Sequence, residues 1–159
     1  MTYLLHPPLL DELGITATLN WYSGRLARST GITIDVTIDE KTRVIRLLPE
    51  VEVALFRVAQ EALTNAIRHS GCSVVHITLG MSGGGLLLRI LDDGRGLSHP
   101  IRMPDTTSMA VIDFGVGIYG MSERIRQLHG WLSIQPAHPR GTLVEAWIPE
   151  PDFASQLTE

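Results

Sequence analysis

The stretch PEVEVALFRVAQEALTNAIRH, Pro49 to His69, opens on a proline suited to a first helical turn and contains no further breaker. Apolar residues recur at Val51, Leu55, Val58, Ala62 and Ala66, and beside them at Ala59, Leu63 and Ile67. That spacing places one broad helical stripe in a core. Arg57, Glu61, Asn65, Arg68 and His69 occupy the opposite face at steps of three and four. Two readings of this face stand side by side. It is the solvated side of an amphipathic helix, or it is a metal-phosphate site, since a carboxylate and an amide oxygen one turn apart suit a hard cation such as magnesium.

Around this helix the chain divides into readable pieces. Pro7 and Pro8 stiffen an extended lead, Asp11 and Glu12 suit a first turn, and a helix is expected from about Ile15 to Ser29, ended by Gly31. Ile32, Ile34, Val36 and Ile38 alternate with polar residues as in a strand with one wet face. Asp39 to Leu48 reads as a charged connection. After Ser70-Gly71, Cys72 to Met81 and Leu86 to Leu91 form a hairpin across Gly83-Gly84-Gly85. Leu97 to Phe114 carries no clear element and reads as a lid, a binding loop or a disordered segment. A helix over Ile118 to His129, stopped by Gly130, precedes a closing hairpin of Trp131 to Gln135 and Thr142 to Ile148, then a tail.

Composition narrows the function classes. With 159 residues, the chain has the length of one domain. A net charge of -4 argues against a nucleic-acid surface, and the lone Cys72 excludes an internal disulfide or a multi-cysteine zinc site. No apolar run reaches the roughly 18 to 20 residues of a membrane span. A cytoplasmic setting is expected. His6 reads as an ordinary surface histidine.

Two glycine patterns invite nucleotide readings. Gly115-Val-Gly117-Ile-Tyr-Gly120 matches the dinucleotide fingerprint, but too little chain follows to complete a doubly wound sheet, and no acid ends the next strand. A Walker loop fails because the chain's only lysine is Lys41, in Glu40-Lys41-Thr42. What remains is the shared physics: glycines let backbone amides at a helix start close on an anion. Likewise Asp92-Asp93-Gly94-Arg95-Gly96 follows a strand directly, and Asp92 at that strand end is a suitable acceptor for an exocyclic amine such as adenine's.

Four ordered segments, Glu61 to His69, Asp92 to Gly96, Gly115 to Arg124 and Arg140-Gly141-Thr142, resemble the nucleotide-binding boxes of the GHKL ATPases, in the order found in bacterial sensor histidine kinases. More narrowly, Leu5 to Gly14 and Gly117-Ile-Tyr-Gly-Met-Ser-Glu-Arg124 resemble the nitrate/nitrite-sensor-like subfamily. The resemblance implies a Bergerat α/β sandwich: a mixed, mostly antiparallel sheet with helices on one face, and ATP between the central helix and a lid. It implies that Asn65 ligates magnesium, that Asp92 accepts from the adenine amine with Thr142 in support, and that Gly94 and Gly96 make room for the base. Gly117 and Gly120 would present amides to the phosphates beside Met121. Arg68 and His69 would face phosphate and nucleoside, and Glu61 would position or deprotonate an attacking group.

Residues 1–14 are then expected to end an upstream dimerisation region, 15–149 to be the ATP-binding catalytic domain, and 150–159 to be a tail. Partners implied are the phosphoacceptor histidine domain of the same protein and a helix-turn-helix response regulator, with the isolated domain monomeric. The stretch from Leu97 to Phe114 is longer than the lids of that subfamily. The rival readings are a serine kinase of the anti-sigma-factor type, which shares these boxes, and a non-catalytic docking module.

Overall fold

A computed structural model describes residues 7–96 and 117–150. Its elements run α1 (Pro8–Thr30), β1 (Thr33–Ile38), α2 (Glu40–Val44), α3 (Pro49–Asn65), β2 (Val74–Ser82), β3 (Gly85–Asp92), α4 (Gly117–Gln127), β4 (Trp131–Pro136) and β5 (Thr142–Pro149). The expected lid Leu97 to Phe114, Gly115, His6 and the tail beyond Glu150 lie outside the described residues.

The five strands form one sheet in the order β1-β2-β3-β5-β4. β1 and β2 pair in parallel and every other pair is antiparallel. A parallel pair requires a crossover, and here it contains α3, so the long helix is carried across one sheet face by the topology itself. Strand alternation decides which face. Val75, Ile77 and Leu79, then Leu86, Leu88 and Ile90, then Val144, Ala146 and Ile148 are buried, whereas His76, Thr78, Arg89 and Leu91 are exposed. Helices α1, α3 and α4 pack together on the buried side. The stripe read from sequence is all interior: Val51, Leu55, Val58, Ala59 and Leu63 are fully covered and Ile67 mostly so. The fold is the expected two-layer α/β sandwich with a mostly antiparallel sheet.

Three local features differ from the sequence reading. Asp39 to Leu48 is not a plain connection, because Asp39 caps α2 by accepting from Thr42 N at 2.7 Å while its other oxygen takes Met81 N at 2.8 Å. The central helix is α-helical only to Asn65. Ala66–Ser70 form a π-helical turn closed by left-handed Gly71. Widened turns of this kind recur at functional sites, and the residues that form one carry no simple sequence signal.

The third difference is at the first helix, which begins at Pro8 and breaks at Gly14 (φ 87°, ψ -176°). An ion pair occupies the break. Glu52, 3% exposed on α3, accepts Ile15 N at 2.7 Å and Arg46 Nε at 2.9 Å. The guanidinium of Arg46 donates to the carbonyls of Leu10 (3.1 Å), Asp11 (2.6 Å) and Glu12 (3.3 Å). The acid thus caps the start of one helical segment and the base caps the end of the one before it, each complementing the local helix dipole. A Cβ at Gly14 would lie 2.7 Å from Glu52 Oε2.

Gly14→Ala should therefore lower unfolding free energy by about 1–3 kcal/mol from backbone strain, with the crowded carboxylate adding to it. Urea unfolding measures this; a variant with an unchanged midpoint would show that the break tolerates a side chain.

Candidate functional site

Residues 58, 61, 62 and 65 share one side of α3 at the spacing i, i+3, i+4, i+7. They lie on the border between the apolar stripe and the polar face. Val58, Glu61, Ala62 and Asn65 line a shallow, open hollow whose other walls are Met121 of α4, Ile134 of β4 and Val144 of β5. These residues make one wall of a site. The sequence reads Val58 and Ala62 only as core stripe and covers Ile134 and Val144 only within the closing hairpin; the border position of Val58 and Ala62 could have been found from helical spacing, whereas that of the two strand residues depends on the packing of the sheet.

Asn65 supplies the unresolved chemistry of this wall. Its Nδ2 is buried without a hydrogen-bond partner. A buried amide left unpaired costs about 1–3 kcal/mol, so such a group at the edge of an open hollow fits a ligand contact. Either end of the amide can be turned to that ligand, and the oxygen end suits a hard cation. Glu61, half-buried, has its carboxyl pushed up by burial, against the opposing charge of Arg68. Arg68 itself is exposed on the π-helical turn. The side chain of His69 lies outside the described residues.

A second cluster forms at the end of β3. Asp92 continues the inward face from Ile90 and is 8% exposed. Its Oδ1 accepts Gly94 N at 2.9 Å. Burial raises its pKa above the usual carboxylate range, opposed by the backbone N–H groups of Gly94 and Thr142, with Asp93 adding repulsion. A carboxylate has capacity beyond those contacts, so a free acceptor remains. Thr142, the first residue of β5, is also buried and lies on the same inward face as Val144 of the hollow.

Close backbone approach explains the glycines here. A Cβ on Gly96 would strike the Gly141 carbonyl, and one on Gly141 would strike the Asp92 carbonyl. Arg140 Nε, which the sequence reading left without a role, donates to Gly94 O at 3.1 Å and fastens the loop from the β4–β5 side.

The structure thus brings Glu61, Asn65 and Met121 onto one hollow, and Asp92, Gly94, Gly96 and Thr142 into one loop cluster on the same inner side of the sheet. Asp92 is not among the residues lining the hollow. Gly117 and Gly120 stand in the first turn of α4, and a Cβ on Gly120 would meet open space.

Residues 50–152 match the family described as histidine kinase-, DNA gyrase B- and HSP90-like ATPases. The chain belongs to this family. Among solved structures, this ATPase domain resembles the histidine kinase domain of a blue-light activated histidine kinase from Erythrobacter litoralis (23% identity, TM-score 0.64), over 85% of the present chain and 64% of that one. It also resembles the ATP-binding domain of PrrB from Mycobacterium tuberculosis (23% identity, TM-score 0.60, 86% and 94% covered) and the mycobacterial sensor histidine kinase MprB (20% identity, TM-score 0.58, 84% and 93% covered). These likenesses bear on the fold. The chain spans about two thirds of the Erythrobacter kinase domain.

The desolvated acid of this ATPase domain makes a pH prediction. A carboxyl raised in the folded state contributes most to stability while protonated: fully below its unfolded pKa, and progressively less as pH rises through the folded value. Asp92→Asn should therefore raise the melting temperature of the nucleotide-free domain at neutral pH, and the gain should vanish below the ordinary carboxylate range. A variant that melts lower than wild type at neutral pH would contradict the assignment.

Proposed function

We propose that this chain is the ATP-binding catalytic domain of a two-component sensor histidine kinase, a protein-histidine kinase module that holds Mg-ATP for transfer of the γ-phosphoryl group to a histidine on a helical dimerisation domain. The observation that carries the reading is the pairing, on one inner face, of a buried acid at Asp92 with an unpaired amide at Asn65, in a chain of this ATPase family. Neither group serves the core, and both are costly to keep without a ligand.

When bound, Mg-ATP supplies the transferable phosphoryl group and the cationic countercharge. Asn65 ligates the metal through its side-chain oxygen. Asp92 accepts from the adenine amine with Thr142 in support, and Gly94 and Gly96 leave the base its space. Gly117 and Gly120 direct amides of the α4 start toward phosphate. Arg68 and His69 face phosphate and nucleoside, and Met121 closes the wall. Glu61, its carboxyl raised by burial, positions or deprotonates the attacking group.

Residues 1–14 are proposed as the end of the dimerisation region, 15–149 as the catalytic domain and 150–159 as a tail. The Leu5 to Gly14 and Gly117 to Arg124 segments support the nitrate/nitrite-sensor-like subfamily, and with it a helix-turn-helix response regulator as partner. None of the helices among the described residues is long and apolar enough to cross a membrane, and the domain is proposed to work in the cytoplasm.

Calorimetry tests the site. Asp92→Ala should cost about 1.5–3 kcal/mol of ATP binding, the range for a hydrogen bond to a charged group. Asn65→Ala should remove the magnesium dependence of binding. ATP affinity that ignores both changes would remove these residues from the site. For the reaction, the chain is mixed with a helical domain bearing a phosphoacceptor histidine and labelled ATP: label should appear on histidine, and label on serine of a partner would reverse the assignment to a serine kinase.

A further inference from the structure

The acid pair at the end of β3 is used unequally. Asp92 points into the site, while the next residue, Asp93, is exposed and has no part in the contacts proposed above. Its hydrogen bonds nevertheless go to one particular segment. Asp93 Oδ1 accepts Ser73 N at 2.7 Å and Val74 N at 3.0 Å, and Asp93 N donates to Val74 O at 3.2 Å. Ser73 and Val74 follow directly from the π-helical turn that begins after Asn65. That turn is folded back on itself by left-handed Gly71 and by Cys72 Sγ, which donates to Ala66 O at 3.4 Å.

A short path therefore connects the two halves of the site: Asn65, the π-helical turn, Ser73-Val74, Asp93, Asp92. On the far side of the same loop, Arg140 holds Gly94 O and Gly141 packs against the Asp92 carbonyl. The two backbone N–H donors keep the Asp93 carboxyl below the usual carboxylate range, so it remains ionised and accepting at neutral pH. Exposed hydrogen bonds exchange readily with water and add little net stability. Their geometric effect is larger, because they fix where the base-recognising strand end lies relative to the end of the central helix.

We propose that Asp93 is a positioning residue that sets the separation between Asp92 and Asn65, and so lets one nucleotide engage both at once without itself touching the ligand. The proposal rests on the nucleotide reading above. Its logic is that of a two-point contact, in which the second point adds affinity only if the spacing matches the ligand.

The test uses the full chain, calorimetry, and two magnesium-loaded probes: ATP, and purine riboside triphosphate, which lacks the 6-amino group that Asp92 would recognise. Asp93→Ala should weaken ATP about tenfold while leaving the analogue within about twofold, since the analogue makes only one of the two contacts. Asp93→Asn, which keeps an acceptor oxygen in place, should restore ATP binding to within about twofold of wild type. Should Asp93→Ala melt well below wild type, Asp93→Gln replaces it, because a displaced acceptor must give the same selective loss. Equal weakening of both probes makes the residue merely structural and overturns the proposal, as does unchanged ATP binding or failure of the asparagine to rescue. A wild-type chain that binds no Mg-ATP removes the nucleotide reading itself, an outcome distinct from all of these.

Discussion

Everything in this molecule depends on the burial of one stripe of α3 against the inner face of the sheet. Leu55, Val58, Ala59 and Leu63 are fully covered there, by strands on one side and by α1 and α4 on the other. Each large aliphatic side chain buried in this way contributes about 1.5–3 kcal/mol, so the rotation of the helix about its own axis is strongly fixed. Fixing that rotation also fixes where the flanking residues lie. Glu61 and Asn65 border the stripe, and they can face a ligand because Val58 and Ala62 beside them cannot leave the core.

The same helix anchors the beginning of the chain. Glu52 is one of few buried acids among the described residues, and it is compensated on two sides, by Arg46 and by the amide of Ile15. A buried acid without such partners would oppose folding. Arg46 in turn holds three carbonyls of the segment before Gly14. Hence the segment before Gly14 is fastened to the helix that carries Glu61 and Asn65.

Much of the fold was legible in the chain. Period-two alternation marked β1, apolar runs separated by turn residues marked the hairpins β2–β3 and β4–β5, and the three-and-four spacing marked α3, because these patterns arise from burial of one face. The acids and glycines after β3 also stood out, since together at a strand end they exceed what a turn requires, and the structure gathers Asp92, Gly94, Gly96 and Thr142 into one loop cluster. What the sequence did not reveal has long-range causes. The helix break at Gly14 depends on Glu52 and Arg46, more than thirty positions away. The π-helical turn leaves Asn65 as the last α-helical residue, so Arg68 and His69 do not continue the simple three-and-four series. At the C-terminal end of α4 it is His129 that takes positive φ, while Gly130 is required because a side chain there would strike the Trp147 carbonyl. The roles of Asp93 and Arg140 are likewise visible only once the loops they join are in place.

The central claim is that a single nucleotide spans the Asn65 wall and the Asp92 loop. The most direct measurement is a magnetic-resonance titration of the isotope-labelled chain with Mg-ATP, following the Asn65 side-chain amide together with the backbone amides of Gly94 and Thr142. The account predicts that all three shift with one common dissociation constant, and that leaving out magnesium diminishes the Asn65 response more than the other two. Shifts at one cluster alone, or two clusters titrating with unrelated constants, would contradict it.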